Sequence, residues 1–441
     1  MIIGIDRETL PKIKNPAFSS YASVYVKIYE DFMAQIRRTG IDIDPQSCKK
    51  ETSEKIERLR QEGAIARNDD KSIYINRISP ACVACQTGSG SATFFISLQC
   101  HRKCFYCFNP NQEHYEYYSR NKRDCLQELD YIHANGLEVK HLALTGGEPL
   151  LHKQEALEFF KYADERFPSA YKRLYTCGDH INEATLHELE NAHLDEIRFS
   201  IRIQDLEKGS RHTYDGIALA KEYIPNVMVE MPVLPDTLEI MKDVLLELER
   251  LKIFSINLLE LCYPLVNAEI FNQKSYKVKN PPHRVLYDYW YAGGVPVSRS
   301  ELECLDLLEF AIDERLKIGV HYCSLENKHT GQIYQQNLNG EMPPTFHFSQ
   351  KDYFLKSAKV FGEDISKVLA VFKKVKRAKY AINPEYNYME FHVHNIKALQ
   401  ELDIEVGIST SVLESREDGK YLRELKVDLT YPQIFDLATD V

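Results

Sequence analysis

The chain predicts an α/β fold: a partial (β/α)6 TIM-type barrel with a small N-terminal winged-helix-like unit and a C-terminal α+β unit. Three observations carry this. From residue 120 to about 320, short apolar runs alternate with helical stripes, and repeated βα units of that length imply a parallel sheet with right-handed crossovers. With the apolar run Ala92–Leu98 there are about six such units, short of a closed barrel. The pattern changes on both sides of this block, which sets expected domains of 1–79, 80–340 and 341–441.

In the first unit, Tyr25, Ile28, Tyr29, Phe32, Met33 and Ile36 form a helical stripe over Tyr21–Arg38. Thr52–Glu62 is a second, charged helix with Ile56 and Leu59 on one side, stopped by Gly63. Two short strands within 64–76, joined at Asn68-Asp69-Asp70, complete a helix, helix, wing outline. No basic recognition helix is present, so this unit is expected to contact protein or serve as scaffold.

The barrel block reads as strands at Val139–Thr145, Arg173–Gly178, Glu196–Arg202, Asn226–Val233 and Ser255–Leu261. The intervening helices are Cys125–Ala134, Gln154–Phe167, Glu183–Ala192, His212–Tyr223 and Thr237–Leu251. An aromatic loop, Tyr287–Gly294, holds the single tryptophan, Trp290. A helix at Glu301–Lys317 and a short strand at Ile318–Cys323 close the block. Beyond it come a helix over Lys351–Lys374, a strand at Tyr388–His394, a helix at Asn395–Leu402, and strands at Ile404–Ser411 and Tyr421–Leu429. The basic run Lys373–Lys379 reads as a solvated face, and His392 and His394 as ordinary histidines.

Composition bounds function. The 441 residues are 44% hydrophobic and 27% charged, as in a globular protein, and the net charge of −10 counts against nucleic acid as the main partner. With no run of 18 apolar residues and no basic-then-apolar leader, a cytoplasmic protein without a membrane partner is expected. Eleven cysteines without a secretion signal point to metal or redox chemistry rather than disulfides.

The densest chemistry is Cys100-His-Arg-Lys-Cys104-Phe-Tyr-Cys107. Three thiolates on one short loop can grip three irons of a [4Fe–4S] cube and leave one iron for a small molecule to chelate. A disulfide would use only two of the thiols, and a zinc site would need a fourth ligand, with His101 wedged inside the loop. A second pair, Cys82-Val-Ala-Cys85, precedes the first barrel strand and Cys323 follows the last. In a barrel those chain ends can meet, so Cys82, Cys85 and Cys323 are candidate ligands of a second metal, iron or zinc, with Cys262 or His321 as a fourth. Cys48, Cys125 and Cys304 read as spectators.

Cys100-x3-Cys104-x2-Cys107 directly after one strand, then Gly146-Gly147-Glu148-Pro149 after the next, resembles the radical SAM superfamily over residues 90 to 325. The resemblance implies a [4Fe–4S] cluster, S-adenosylmethionine (SAM) chelated to the open iron, and reductive cleavage to methionine and a 5′-deoxyadenosyl radical. It also implies an electron donor such as flavodoxin or ferredoxin. On this reading the glycines let backbone approach the methionine amino group, Glu148 helps hold that group, Pro149 stiffens the turn, and Tyr106 packs near adenine. Thr176, Cys177, Gly178, Ser200, Arg202 and Glu230 point polar groups toward ribose and carboxylate, with Arg202 the candidate partner of the SAM carboxylate.

The pair Cys82/Cys85, with His321-Tyr-Cys323 and a later lysine, resembles a branch related to pyruvate formate-lyase activating enzymes. Within it the layout is similar to the methanogenesis marker radical SAM proteins that methylate an arginine of methyl-coenzyme M reductase. That resemblance implies a protein substrate, methyl transfer, and cobalamin held by the C-terminal unit, although the chain lacks a DxHxxG motif. The rivals are a glycyl-radical activase, an enzyme acting on a small metabolite or RNA, and a non-catalytic iron–sulfur or zinc interaction protein.

Overall fold

The computed structural model describes residues 1–282, 294–338, 340–375, 378–416 and 418–441. Trp290 and its loop from Tyr287, and Lys376-Arg377 of the basic run, lie outside the described residues. The chain forms two compact units, one of Thr39–Gly331 and one that joins Met1–Arg38 to Gln332–Val441.

The Thr39–Gly331 unit is built on a nine-stranded sheet. Its strands are β1 (Ile65–Arg67), β2 (Ser72–Ile75), β3 (Ser91–Phe95), β4 (His141–Thr145), β5 (Tyr171–Thr176), β6 (Glu196–Phe199), β7 (Asn226–Val233) and β8 (Ser255–Glu260). A two-stranded ladder, β9 (Cys262–Tyr263) with β10 (Val295–Pro296), stands apart, and β11 (Gly319–Cys323) completes the sheet. The order is β1-β2-β11-β8-β7-β6-β5-β4-β3. All neighbours from β3 to β11 are parallel, and among the described residues the end strands β1 and β3 do not pair, which is a partial barrel sheet. β11 is therefore a seventh parallel strand, where about six βα units were expected.

These strands read as continuous apolar runs because both faces are covered: Leu142, Ala143 and Leu144 of β4 are fully buried. The helices between them start on side-chain caps. Asp124 accepts from Gln127 N ahead of Cys125–Ala134, and Asn182 accepts from Thr185 N ahead of Glu183–Asn191. Gly216 sits inside the helix His212–Ala220, where an added Cβ would meet Phe199 Cε1 at 3.5 Å and Gly178 O at 3.8 Å, both ordinary contacts. Gly216→Ala is expected to stabilise the fold by about 0.5–1 kcal/mol, read as a higher urea midpoint.

The winged-helix expectation is corrected. The hairpin β1–β2 is not a free wing: β2 pairs antiparallel with β11, from Ile75↔Val320 to Ser72↔Cys323. The helix Lys49–Gln61 buries Ile56 and Leu59 and ties Lys55 to Glu309 at 3.2 Å and to Asp306, both on the helix Ser300–Asp313. The helix Pro16–Arg38 belongs to the other unit, so the expected 1–79 domain is divided at residue 38.

In that other unit β12 (His347–Phe348), β13 (Leu355–Phe361), β14 (Tyr380–Asn383), β15 (Tyr388–Phe391), β16 (Val406–Arg416) and β17 (Gly419–Thr430) form one sheet, in the order β14-β15-β13-β16-β17 with β12 on β13. Phe18 stacks on Phe361 with ring centroids 4.6 Å apart, and Glu405 accepts from Lys14 N and Asn15 N at 2.9 and 2.8 Å. Those contacts explain why the N-terminal helix is held here. The expected helix over Lys351–Lys374 is a strand over Leu355–Phe361 and a helix only over Asp364–Phe372. Gly362, at φ +56°, makes the break. His392 Nδ1 accepts from His394 N at 3.2 Å and opens a 3-10 turn, Val393–Leu399, where a helix to Leu402 was expected. Among the described residues, no helix is long and apolar enough to cross a membrane.

Candidate functional site

Parallel pairing sets the C-terminal ends of successive strands side by side, and the motif residues lie there. The Cys100–Cys107 loop follows β3, Gly146–Pro149 follows β4, Thr176–Asp179 follows β5 and Ser200–Arg202 follows β6. Glycine is required at both places in the second motif. Gly146 has φ +123°, and a Cβ there would meet Ser97 O at 2.6 Å and Phe95 Cβ at 2.7 Å. A Cβ on Gly147 would run into the Gln99 carbonyl. Gly147 N donates to Ser97 O at 3.2 Å and Glu148 N to Gln99 O at 2.8 Å. The glycines thus serve the close approach of the chain that enters the cysteine loop. On the far side of the loop, Asn109 Nδ2 donates to Gly146 O at 2.8 Å. The cysteine loop is held to the glycine turn at both ends.

Glu148, 2% exposed, accepts from Thr176 Oγ1 at 2.8 Å, Cys177 N at 2.7 Å and Leu150 N at 3.1 Å. Its carboxylate therefore joins the tip of β4 to the tip of β5. Asp179 adds a clamp that sequence reasoning missed. It accepts from His101 Nε2 at 2.5 Å, from Arg102 Nε at 2.6 Å and from Arg102 Nη2. Burial works against that carboxylate, but the bonds from Arg102 and His101 hold it well below the usual range. Cys177, expected among the polar groups at this strand tip, donates to Asp179 Oδ2 at 3.4 Å, and burial pushes its thiol up. His101, Cys177 and Asp179 bring their ligand atoms within 4.8 Å of one another, with Arg102 already engaging the carboxylate.

The three loop thiols are free, and none is spent in a disulfide. Cys100 Sγ accepts from Arg102 N at 3.4 Å. Burial pushes the Cys107 thiol up to about 11, so binding a metal there must displace a proton. Tyr106, expected near a base, turns its hydroxyl toward Cys104 and its ring edge-on to Phe105, with centroids 5.0 Å apart. The Arg202 guanidinium acts on Cys104, its Nε carries no hydrogen bond among the described residues, and it pairs with Asp205 at 3.9 Å. Ser200, exposed at the same tip, donates to Glu230 O at 3.2 Å. Three soft thiolate donors with an adjacent cation suit a cube with one open corner.

The side chain of Glu230 lies elsewhere, in a polar layer inside the barrel. It accepts from Arg198 Nη1 at 2.6 Å and Asn257 Nδ2 at 2.7 Å. Glu196 accepts from Arg198 Nε at 2.6 Å, Ser79 Oγ at 2.6 Å and Tyr171 OH at 2.9 Å. His321 meets Asn257 Oδ1 at 2.9 Å and Ser72 Oγ at 2.8 Å. With its two ring nitrogens engaged by Asn257 and Ser72, His321 is not a free metal ligand, which corrects that expectation. Cys262 packs against Gly294, and burial raises its thiol to about 12. Cys125 donates to Phe95 O at 3.3 Å, and Cys304 is buried in the helix Ser300–Asp313.

Residues 95–248 match the family model of the Radical SAM superfamily, so the chain carries a radical SAM domain. Over 168 residues the chain is 28% identical to a Methanocaldococcus jannaschii protein named as a glycyl-radical enzyme activating enzyme. That stretch is 36% of this chain and 44% of the relative, so the chain spans less than half the length of that relative. Among solved structures, SuiB of Streptococcus suis bound to its precursor peptide SuiA is similar at 14% identity and TM-score 0.33, over 47% of this chain and 42% of that one. Native anSMEcpe with bound AdoMet and the Cp18Cys peptide is similar at 19% identity and TM-score 0.33, over 40% of this chain and 52% of that one.

Proposed function

We propose that the chain is a radical SAM enzyme in which Cys100, Cys104 and Cys107 hold a [4Fe–4S] cluster. The observation that supports this most is the joint build of the cysteine loop and the glycine turn, held at Gly147–Ser97, Glu148–Gln99 and Asn109–Gly146. When bound, the cluster supplies one electron to SAM, whose S–C5′ bond breaks to give methionine and a 5′-deoxyadenosyl radical. The chain's own residues position the nucleotide. Glu148 and Asp179 fix the two strand tips, and Arg202 offers its guanidinium to the SAM carboxylate. That radical would take a hydrogen atom from a C–H bond of the substrate, giving 5′-deoxyadenosine and a substrate radical.

Arg202→Gln is expected to raise the KM for SAM about tenfold to a hundredfold while leaving the iron content unchanged, checked by steady-state assay and iron analysis.

The substrate we propose is a polypeptide, and two finer readings divide on cobalamin. Activation of a glycyl-radical protein needs none, and the name of the Methanocaldococcus relative favours it. Methyl transfer to an arginine of methyl-coenzyme M reductase, which the cysteine layout suggests, requires cobalamin. Titration of the reconstituted protein with cobalamin separates them: tight binding supports methyl transfer, and SAM cleavage with no binding supports the activase.

A further inference from the structure

We propose that Asn267, on the turn that follows β9, is a positioning residue for the cysteine loop, a role that takes the radical SAM reading above as its premise. Its amide fixes the central peptide of the Cys104–Cys107 turn, and with it the setting of the second and third thiols.

Cys104-Phe-Tyr-Cys107 closes on itself, with Cys107 N donating to Cys104 O at 3.1 Å. That bond sets the ends of the turn but not its middle. Type I and type II turns share it and differ by a flip of the central peptide, here Phe105–Tyr106. The rest of the loop is tied down on either side, at Arg102 by Asp179 and at Asn109 by Gly146. Between those ties Asn267 Nδ2 donates to Phe105 O at 2.9 Å and selects one orientation of the peptide. In a trans peptide the Tyr106 N–H points opposite to the Phe105 carbonyl, so the same bond decides where that donor aims. Such N–H donors are one lever a chain has on the potential of a cluster it holds.

The conformation of Asn267 shows what its side chain is kept for. It is the N-cap of the helix Ala268–Gln273, and an asparagine there ordinarily takes extended backbone and turns its side-chain oxygen onto its own helix. Here φ is +61°, no side-chain cap bond forms, and the amide reaches across to the cysteine loop instead. Two residues earlier Leu265 also stands at φ +61°, a costly setting for a leucine, with its side chain exposed. The turn is braced against the segment that leaves the cysteine loop, since Asn111 Nδ2 donates to Pro264 O at 2.5 Å. Its base is an aromatic stack. Phe105 sets its ring edge-on to the fully buried Phe271, with centroids 5.1 Å apart, and Phe271 meets Tyr263 at 4.9 Å.

Asn267→Gly keeps the left-handed backbone and deletes the amide, and Asn267→Asp keeps the shape but sets an acceptor against the Phe105 carbonyl. Asn272→Ala is the control: it removes the bond from Asn272 Nδ2 to Gly40 O, 2.6 Å long, from the same helix and leaves the cysteine loop alone. The first readout is amide hydrogen exchange of residues 104–107 in the metal-free full chain, followed by mass spectrometry. Both Asn267 variants are expected to exchange there about fivefold to tenfold faster than wild type, the worth of one hydrogen bond, and Asn272→Ala at the wild-type rate. The second readout is SAM cleavage after reconstitution. In Asn267→Gly, kcat per loaded cluster is expected to fall about tenfold, with the KM for SAM within about twofold and iron content unchanged. Wild-type exchange in Asn267→Gly overturns the proposal, and so does a kcat loss that only follows lost iron or that Asn272→Ala shares. If the wild type releases no 5′-deoxyadenosine, the radical SAM reading fails, while exchange in the metal-free chain still decides the role of Asn267.

Discussion

Gly147→Ala is expected to lower SAM cleavage by at least about a hundredfold, because a misplacement of roughly 1 Å at a reacting centre has that effect. The new Cβ would enter the Gln99 carbonyl, the residue next to Cys100, and would lie 2.7 Å from Leu98 C in the same segment. These neighbours are backbone and cannot rotate away, so the cysteine loop itself must shift. Iron content after reconstitution should fall with activity, since the displaced segment carries the first ligand. Gly216→Ala is the control: its Cβ meets a ring carbon and a backbone oxygen at van der Waals distances, and SAM cleavage should stay at the wild-type rate. Equal activity in both variants would mean that the two motifs are not mechanically joined.

Arg198→Met is expected to destabilise the protein by about 3–5 kcal/mol, the usual cost of breaking a buried ion pair from one side. Arg198 is 3% exposed and holds Glu196, itself fully buried, and Glu230. Removing the cation leaves both carboxylates inside the barrel hydrogen-bonded to neutral donors, Ser79 and Tyr171 on Glu196 and Asn257 on Glu230, with Arg173 and Lys328 as the remaining charged neighbours. Urea unfolding of the anaerobic protein measures the loss as a lower midpoint. A loss under about 1 kcal/mol would show that water or the two acids' protonation replaces the arginine. Arg198 also donates to Cys82 Sγ, so the variant should weaken any metal held there.

Some of this was legible in the sequence for definite physical reasons. The cysteine spacing and the glycine turn are short-range features, and local chain geometry dictates them. The parallel strands announce themselves because burial on both faces demands unbroken apolar runs, as in Leu142–Leu144. β13 was hidden for the converse reason. Lys356 and Lys359 are polar yet buried, neutralised by Asp352 at 2.7 Å and Glu424 at 2.6 Å, and no local pattern shows a strand whose charges are met from elsewhere. The stripe on Pro16–Arg38 shows that the helix needs a partner but not that the partner is Phe361, more than three hundred residues away. The Asp179 clamp joins residues 78 apart in the chain, and the aspartate after β5 is its only local trace. Glu230 and His321 read as site groups because the sequence shows their chemistry but not the neutral and charged partners that already satisfy them.

The most direct test is 5′-deoxyadenosine release from SAM by the reconstituted, reduced full chain, run beside Cys104→Ala. Wild-type protein should yield 5′-deoxyadenosine and methionine in equal amounts, and the variant neither. A wild-type protein that binds its iron and sulfide yet forms no 5′-deoxyadenosine, or a variant that matches it, would contradict the account.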